Sequence, residues 1–236
     1  MRKVLALLLC ALLLCALLSL MPCMALADGA PDALDMTRPL DSAAYQFDFA
    51  PWYSSMNDVL AAFGENAVWH RTSAGSLISS NAGDMTIMEC GYPSAITGAN
   101  ARLQLIFEAF ADGDSTADLL VGVRMIEELS DLDALNAYIS DVAARFDDMA
   151  GRKVLDLTAR QVVGKFVGLN DSFASDPESS GRFSMSNVGS FTAPDGGAHT
   201  VDTLIWLSAR KNAAEYMTGD APYCAIYEFV LRPAEA

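Results

Sequence analysis

Tyr223, Ala225, Tyr227, Phe229 and Leu231 are apolar at every second position, with Glu228 among the residues between them. A side-chain period of two sends alternate residues to opposite faces of an extended chain, so this run reads as a β-strand with one face on a core. Leu103, Leu105, Phe107 and Ala109 repeat the pattern against Arg102, Gln104, Ile106 and Glu108. Residues 85–91 form another strand signal, and residues 119–129 answer the Asp112-Gly113-Asp114 turn as the return strand of a hairpin. Residues 183–191 and 199–209 flank a second turn, Pro194-Asp195-Gly196-Gly197. Tyr45, Phe47 and Phe49 alternate as well, up to Pro51. Hairpins without crossovers imply antiparallel pairing, and the final strand is expected to close the sheet.

Two segments switch to a helical period. Ser55 and Asp58 make a capping box, Met56, Val59, Leu60 and Phe63 share one face, and Gly64 supplies the stop, predicting a helix over 55–63. Ser130 with Asp133 opens a longer helix, with Leu132, Leu135, Tyr138, Ile139, Val142 and Phe146 at helical spacing up to Gly151. Residues 154–170 suit a helix or a strand, and residues 171–182 read as a loop. The expected fold is therefore α+β: a two-layer sandwich with an antiparallel sheet and two main helices on one face. It occupies residues 45–236 as one domain with a helix-then-meander rhythm in each half, 45–151 and 152–236.

The amino end is different. Arg2 and Lys3 precede an apolar run from Val4 to Leu20, and Ala25-Leu26-Ala27 places small residues where a signal peptidase reads. Residues 1–27 thus read as a secretory signal peptide cut before Asp28, followed by a leader over 28–44 rich in Ala, Asp and Pro. An uncleaved anchor is the alternative. A lipoprotein signal would use Cys23, but Pro22 stands where such signals want Gly or Ala. The destination is the cell envelope or the medium. Removing residues 1–27 takes Arg2 and Lys3 but no acid, leaving 13 Lys+Arg against 30 Asp+Glu, a net of -17. Such a surface repels nucleic acid and anionic membrane surfaces. Cys90 and Cys224 remain, either as a disulfide suited to an oxidising compartment or as buried free thiols.

The segment Phe49-Ala50-Pro51-Trp52-Tyr53-Ser54-Ser55-Met56-Asn57-Asp58-Val59, closing with Phe63-Gly64, resembles a helix-opening pattern of small secreted bacterial domains. It is similar in shape to outer-membrane-assembly lipoproteins and to β-lactamase-inhibitor-like modules. That resemblance implies a binding or scaffolding module without catalysis. Tyr53 stands where those patterns prefer Gly, and no functional residue carries over.

Candidate chemistry is sparse. Gly113-Asp114-Ser115 with Asp195 and His199 suggests a serine esterase, but Ser115 falls on a hairpin rather than a strand-to-helix elbow. Asp112, Asp114 and Asp118 lack the Gly and Glu that a calcium loop requires, Ala117 and Val123 standing there instead. His70 and His199 belong to no ligand pair, so neither a metal nor another cofactor is expected. Glu127-Glu128 with Asp131 and Asp133 could pair as glycosidase acids, but helix capping accounts for them. Trp206 lies within an apolar strand and reads as core. Trp52, Tyr53 and Trp69 are the aromatic binding candidates, for a protein or glycan partner, with the Trp52/Tyr53 corner foremost.

Overall fold

Among the described residues, seven antiparallel strands form one sheet in the order β1-β2-β3-β4-β7-β6-β5. The computed structural model describes residues 52–72, 77, 85–94, 97, 99–109, 118–151, 171–193 and 196–233, all within the unit Ala33–Ala236. The expected signal peptide, leader, strand near residue 47, first hairpin turn with Ser115, segment 154–170 and Asp195 lie outside these residues. The strands are β1 (His70–Thr72), β2 (Met85–Pro93), β3 (Asn100–Glu108), β4 (Leu119–Leu129), β5 (Ser180–Thr192), β6 (Ala198–Ala209) and β7 (Tyr223–Pro233). Helix α1 (Met56–Ala62) precedes β1, α2 (Leu132–Gly151) follows β4, and the short α3 (Arg210–Ala213) leads into a 3-10 turn, Ala214–Tyr216. Among the described residues no helix is long and apolar enough to cross a membrane.

Ser55 caps α1 as its sequence requires, its hydroxyl oxygen accepting from the Asp58 N–H at 3.2 Å and its hydroxyl donating to the Asp58 carboxylate at 2.6 Å. Gly64 follows the helix at φ +69, the left-handed turn that glycine adopts at no steric cost. At α2 the cap is Asp131 rather than Ser130: its Oδ1 accepts from the Ala134 N–H at 2.8 Å, and Ser130 donates to its Oδ2 at 2.9 Å.

The expected two-layer sandwich does not form. The sheet curls into an antiparallel half-barrel, and the seven-residue α1 and the 20-residue α2 pack into its core rather than forming a separate layer of two main helices. Two irregularities support the curl. Ile106 pairs with Gly122 and Phe107 with Leu120, leaving Val121 as an extra residue, and a second register shift falls between Met185 and Gly189. A β-bulge bends its strand and increases the local twist. Gly122 fits because a Cβ there would lie 3.0 Å from Ile106 Cδ1 and 3.3 Å from the Phe229 carbonyl oxygen.

One face gathers the main core: Cys90, Leu103, Leu105, Phe107, Val123, Met125, Ile205, Leu207, Ala225, Tyr227 and Phe229. Val59 of α1, Phe63 just after it, and Leu135, Tyr138 and Ile139 of α2 pack into it. The opposite face is also covered, which alternation alone did not foretell. Ile126, Cys224 and Ile226 there meet Ala213 and Met217, with Leu77, Trp206 and Tyr216 against them. This double coverage explains why β7 is almost wholly buried. It does not close the sheet as expected but lies inside it, between β4 and β6. Residues 171–182 also depart from a loop: 171–175 are helical, and Phe173 is buried against Tyr223 at 6.1 Å between ring centroids.

Across the covered outer face runs a polar row built by strand register. Glu89 stands opposite Gln104, Gln104 opposite Arg124, and Arg124 opposite Glu228. Gln104 Nε2 donates to Glu89 at 2.6 Å, Arg124 Nη1 to Gln104 Oε1 at 2.7 Å, and Arg124 Nε to Glu228 at 2.6 Å. The Leu77 N–H also donates to Glu228, at 3.0 Å. A buried charge is tolerable only when such bonds replace water.

Candidate functional site

The Trp52/Tyr53 corner is fixed to the sheet through its backbone. Tyr53 N–H donates to the Leu120 carbonyl at 3.0 Å, Leu120 N–H to the Ser54 carbonyl at 2.9 Å, and Met56 N–H to the Asp118 carbonyl at 2.9 Å. Ser55 and Leu119 form an isolated bridge. The chain therefore meets the start of β4 and turns immediately into α1. Tyr53 makes that turn at φ +66, the only non-glycine in the left-handed region among the described residues. For an ordinary L-residue this conformation costs about 1–2 kcal/mol.

Three contacts hold the Tyr53 ring. It stacks on Phe191 at 5.9 Å with 14° between planes, and meets the His199 ring edge-on at 5.2 Å and 65°. Its hydroxyl lies 2.9 Å from His199 Nε2. Phe191 and His199 are register partners at the β5–β6 hairpin, so the second meander delivers both to the same spot. His199 Nδ1 lies 3.1 Å from the Gly197 carbonyl. A carbonyl only accepts, so this network places the proton on Nδ1 and makes Nε2 the acceptor for the Tyr53 hydroxyl. Both ring nitrogens are thereby used within the fold.

Trp52, Tyr53 and Trp69 are all partly buried and all pack on the main core. Trp69 does not join the Tyr53 cluster. Its ring meets Phe63 edge-on at 4.9 Å, and its buried Nε1 has no hydrogen-bond partner. His199 enters the site through Tyr53, 146 residues away in sequence, a partnership that no local motif could signal. Trp206 belongs to the outer face instead. The Arg182 guanidinium lies over its ring at 5.1 Å, Tyr216 meets it edge-on at 5.5 Å, and its Nε1 donates to Ser180 at 2.6 Å.

The two cysteines are free buried thiols. Cys90 belongs to the main core and Cys224 to the outer-face cluster, so the sheet itself stands between them. Burial pushes each thiol up to about 12, which leaves them poor nucleophiles.

Adjacent strand residues point to opposite faces, and this separates the glutamate pair. Glu127 is buried and accepts from Ser94 Oγ at 2.5 Å and Thr97 Oγ1 at 2.8 Å. Glu128 sits on the other face, where its carboxylate accepts from the Thr218 N–H at 2.7 Å and the Gly219 N–H at 3.0 Å. Burial alone would raise Glu128, but these amides, the Thr218 hydroxyl and nearby Arg102 outweigh it and hold the carboxyl below its usual range. Among the described residues no group of three or more His, Cys, Asp or Glu side chains could hold a metal ion.

Compared with protein-family models, curated proteins and solved structures, the chain matches none of them.

Proposed function

We propose that this chain is exported, released from its signal peptide before Asp28, and works in the cell envelope or the medium as a non-catalytic binding module. The reading places protein recognition at the rim formed by Trp52, Tyr53, Phe191 and His199. One observation carries it: a tyrosine occupies a left-handed turn that glycine would occupy without strain, and its ring is held by two aromatic neighbours and a hydrogen bond. Strained backbone retained against such a cost is characteristic of functional positions. Tyrosine and tryptophan supply large, rigid contact area and are enriched in binding hot spots. The small-secreted-domain resemblance of residues 49–64 supports the same class.

The test uses Tyr53→Gly and Trp52→Ala in the mature chain, as bait for proteins from the extracellular and envelope fractions. Tyr53→Gly relieves the backbone while removing the ring, so the variant is expected to keep its fold and lose the captured partner. Capture by both variants equal to that by the natural chain would overturn the reading.

A further inference from the structure

On the outer face, beyond the buried polar row, Arg102, Ile126, Glu128, Thr218 and Gly219 line a cavity of about 230 Å³. At about 30 Å³ per water this is room for about eight heavy atoms, in a hollow that opens to solvent. Its lining carries both signs of charge around an apolar floor, Ile126. Arg102 Nη1 makes one long contact, 3.4 Å to Glu89, while its buried Nη2 has no partner. An unpartnered guanidinium N–H is costly where it is, and turning the group gives up only the long Nη1–Glu89 contact. Swinging the guanidinium toward the cavity would give that donor an acceptor. Glu128 is already anchored by the Thr218 and Gly219 amides, so it presents a fixed negative charge.

Charge decides what fits. A simple anion would meet Arg102 but also the fixed carboxylate of Glu128, with Glu89 close behind. A simple cation would meet Glu128 but be repelled by Arg102. A guest with both charges a few bonds apart satisfies both walls. We propose that this cavity binds a small zwitterion, a free α-amino acid, with its carboxylate on the Arg102 guanidinium and its ammonium toward Glu128. The site is independent of the Tyr53 rim, which lies on other elements.

The experiment follows the backbone amide signals of Thr218 and Gly219 in the full mature chain during titration with glycine, acetate or methylammonium. Glycine is expected to give saturable shifts, with acetate and methylammonium at least tenfold weaker. Arg102→Gln is expected to weaken glycine binding at least tenfold, and Arg102→Lys, which keeps the charge, to weaken it less. Equal binding of acetate and glycine, unchanged glycine binding by Arg102→Gln, or no saturation by glycine below about 10 mM would each overturn the proposal. Should Arg102→Gln fail to fold, the comparison of the three probes on the natural chain decides alone.

Discussion

Arg124 and Glu228 stand directly opposite each other on β4 and β7, 2.6 Å apart, with neither side chain exposed to solvent. The pair ties together the two strands at which the meanders meet. Tyr216 lies over the guanidinium at 5.8 Å from ring centroid to Cζ, completing its enclosure.

Removing one partner should be worse than removing both. Arg124→Met leaves the buried Glu228 carboxylate without its counter-charge and is expected to lower unfolding free energy by about 3–5 kcal/mol. Arg124→Met with Glu228→Leu removes the buried charge but still orphans Gln104 Oε1 and the Leu77 N–H, costing about 1–3 kcal/mol for each group. Urea unfolding of both variants checks this. The double variant should be the more stable of the two, and the reverse order would show that the pair does not behave as a desolvated ion pair.

The thiols should be chemically silent and alkaline-sensitive. In the native chain, Cys90 and Cys224 should not react with a thiol reagent at pH 8, and both should label after denaturation. Their folded values near 12 lie above the unfolded value of 9.0. Their contribution is therefore complete below pH 9 and is lost as pH rises toward 12, by about 1.4 kcal/mol per pH unit per thiol. Replacing both cysteines by alanine should flatten that alkaline limb in pH-dependent unfolding.

Glu128 predicts the opposite limb. Its folded value is lowered, so the stability it contributes is present above the unfolded value of 4.5 and is lost as pH falls through the folded one. Glu128→Gln should reduce the acid dependence of Tm below pH 4.5. Gly219→Ala tests the same contact sterically, because its Cβ would lie 2.6 Å from Glu128 Oε2. The Oε2 end of the carboxylate must turn aside and loosen its hold on the Gly219 amide, so Tm should fall slightly at neutral pH while the acid dependence weakens.

Gly122→Ala should strain the bulge where the sheet curls. The Phe229 carbonyl is backbone inside the sheet and cannot yield as a side-chain tip would, so the expected loss is about 1–3 kcal/mol. Thermal unfolding reads it, and a neutral effect would show that the strands there can spread.

Individual elements were legible in the residues because each has a local cause. The Asp112-Gly113-Asp114 turn signal located β4 at residues 119–129 as its return strand, and the Ser55–Asp58 box located the start of α1. The layer architecture was not legible. Sheet curvature depends on which residue of one strand is left over against another, and Val121 looks like any other member of its run. Gln104 and Glu228 read as water-facing because polar residues alternating with apolar ones usually are, and Arg124 gave no signal of its own. The turn around Tyr216 and Met217, together with Leu77, turns that face inward. For the rim, Trp52 and Tyr53 stand out as aromatics at a strand–helix junction. The left-handed turn and His199 do not, since both depend on pairing between distant segments.

The placement of β7 has a consequence for the order of assembly. A chain emerging amino end first can pair β1 through β4, and later β5 with β6, before the strand shared by both groups exists. Until then β4 and β6 each expose a row of unpaired amides and carbonyls, the kind of edge that recruits neighbouring molecules. The last of the seven strands to appear is thus the seam, and shielding the nascent chain matters most in the interval before Tyr223 arrives.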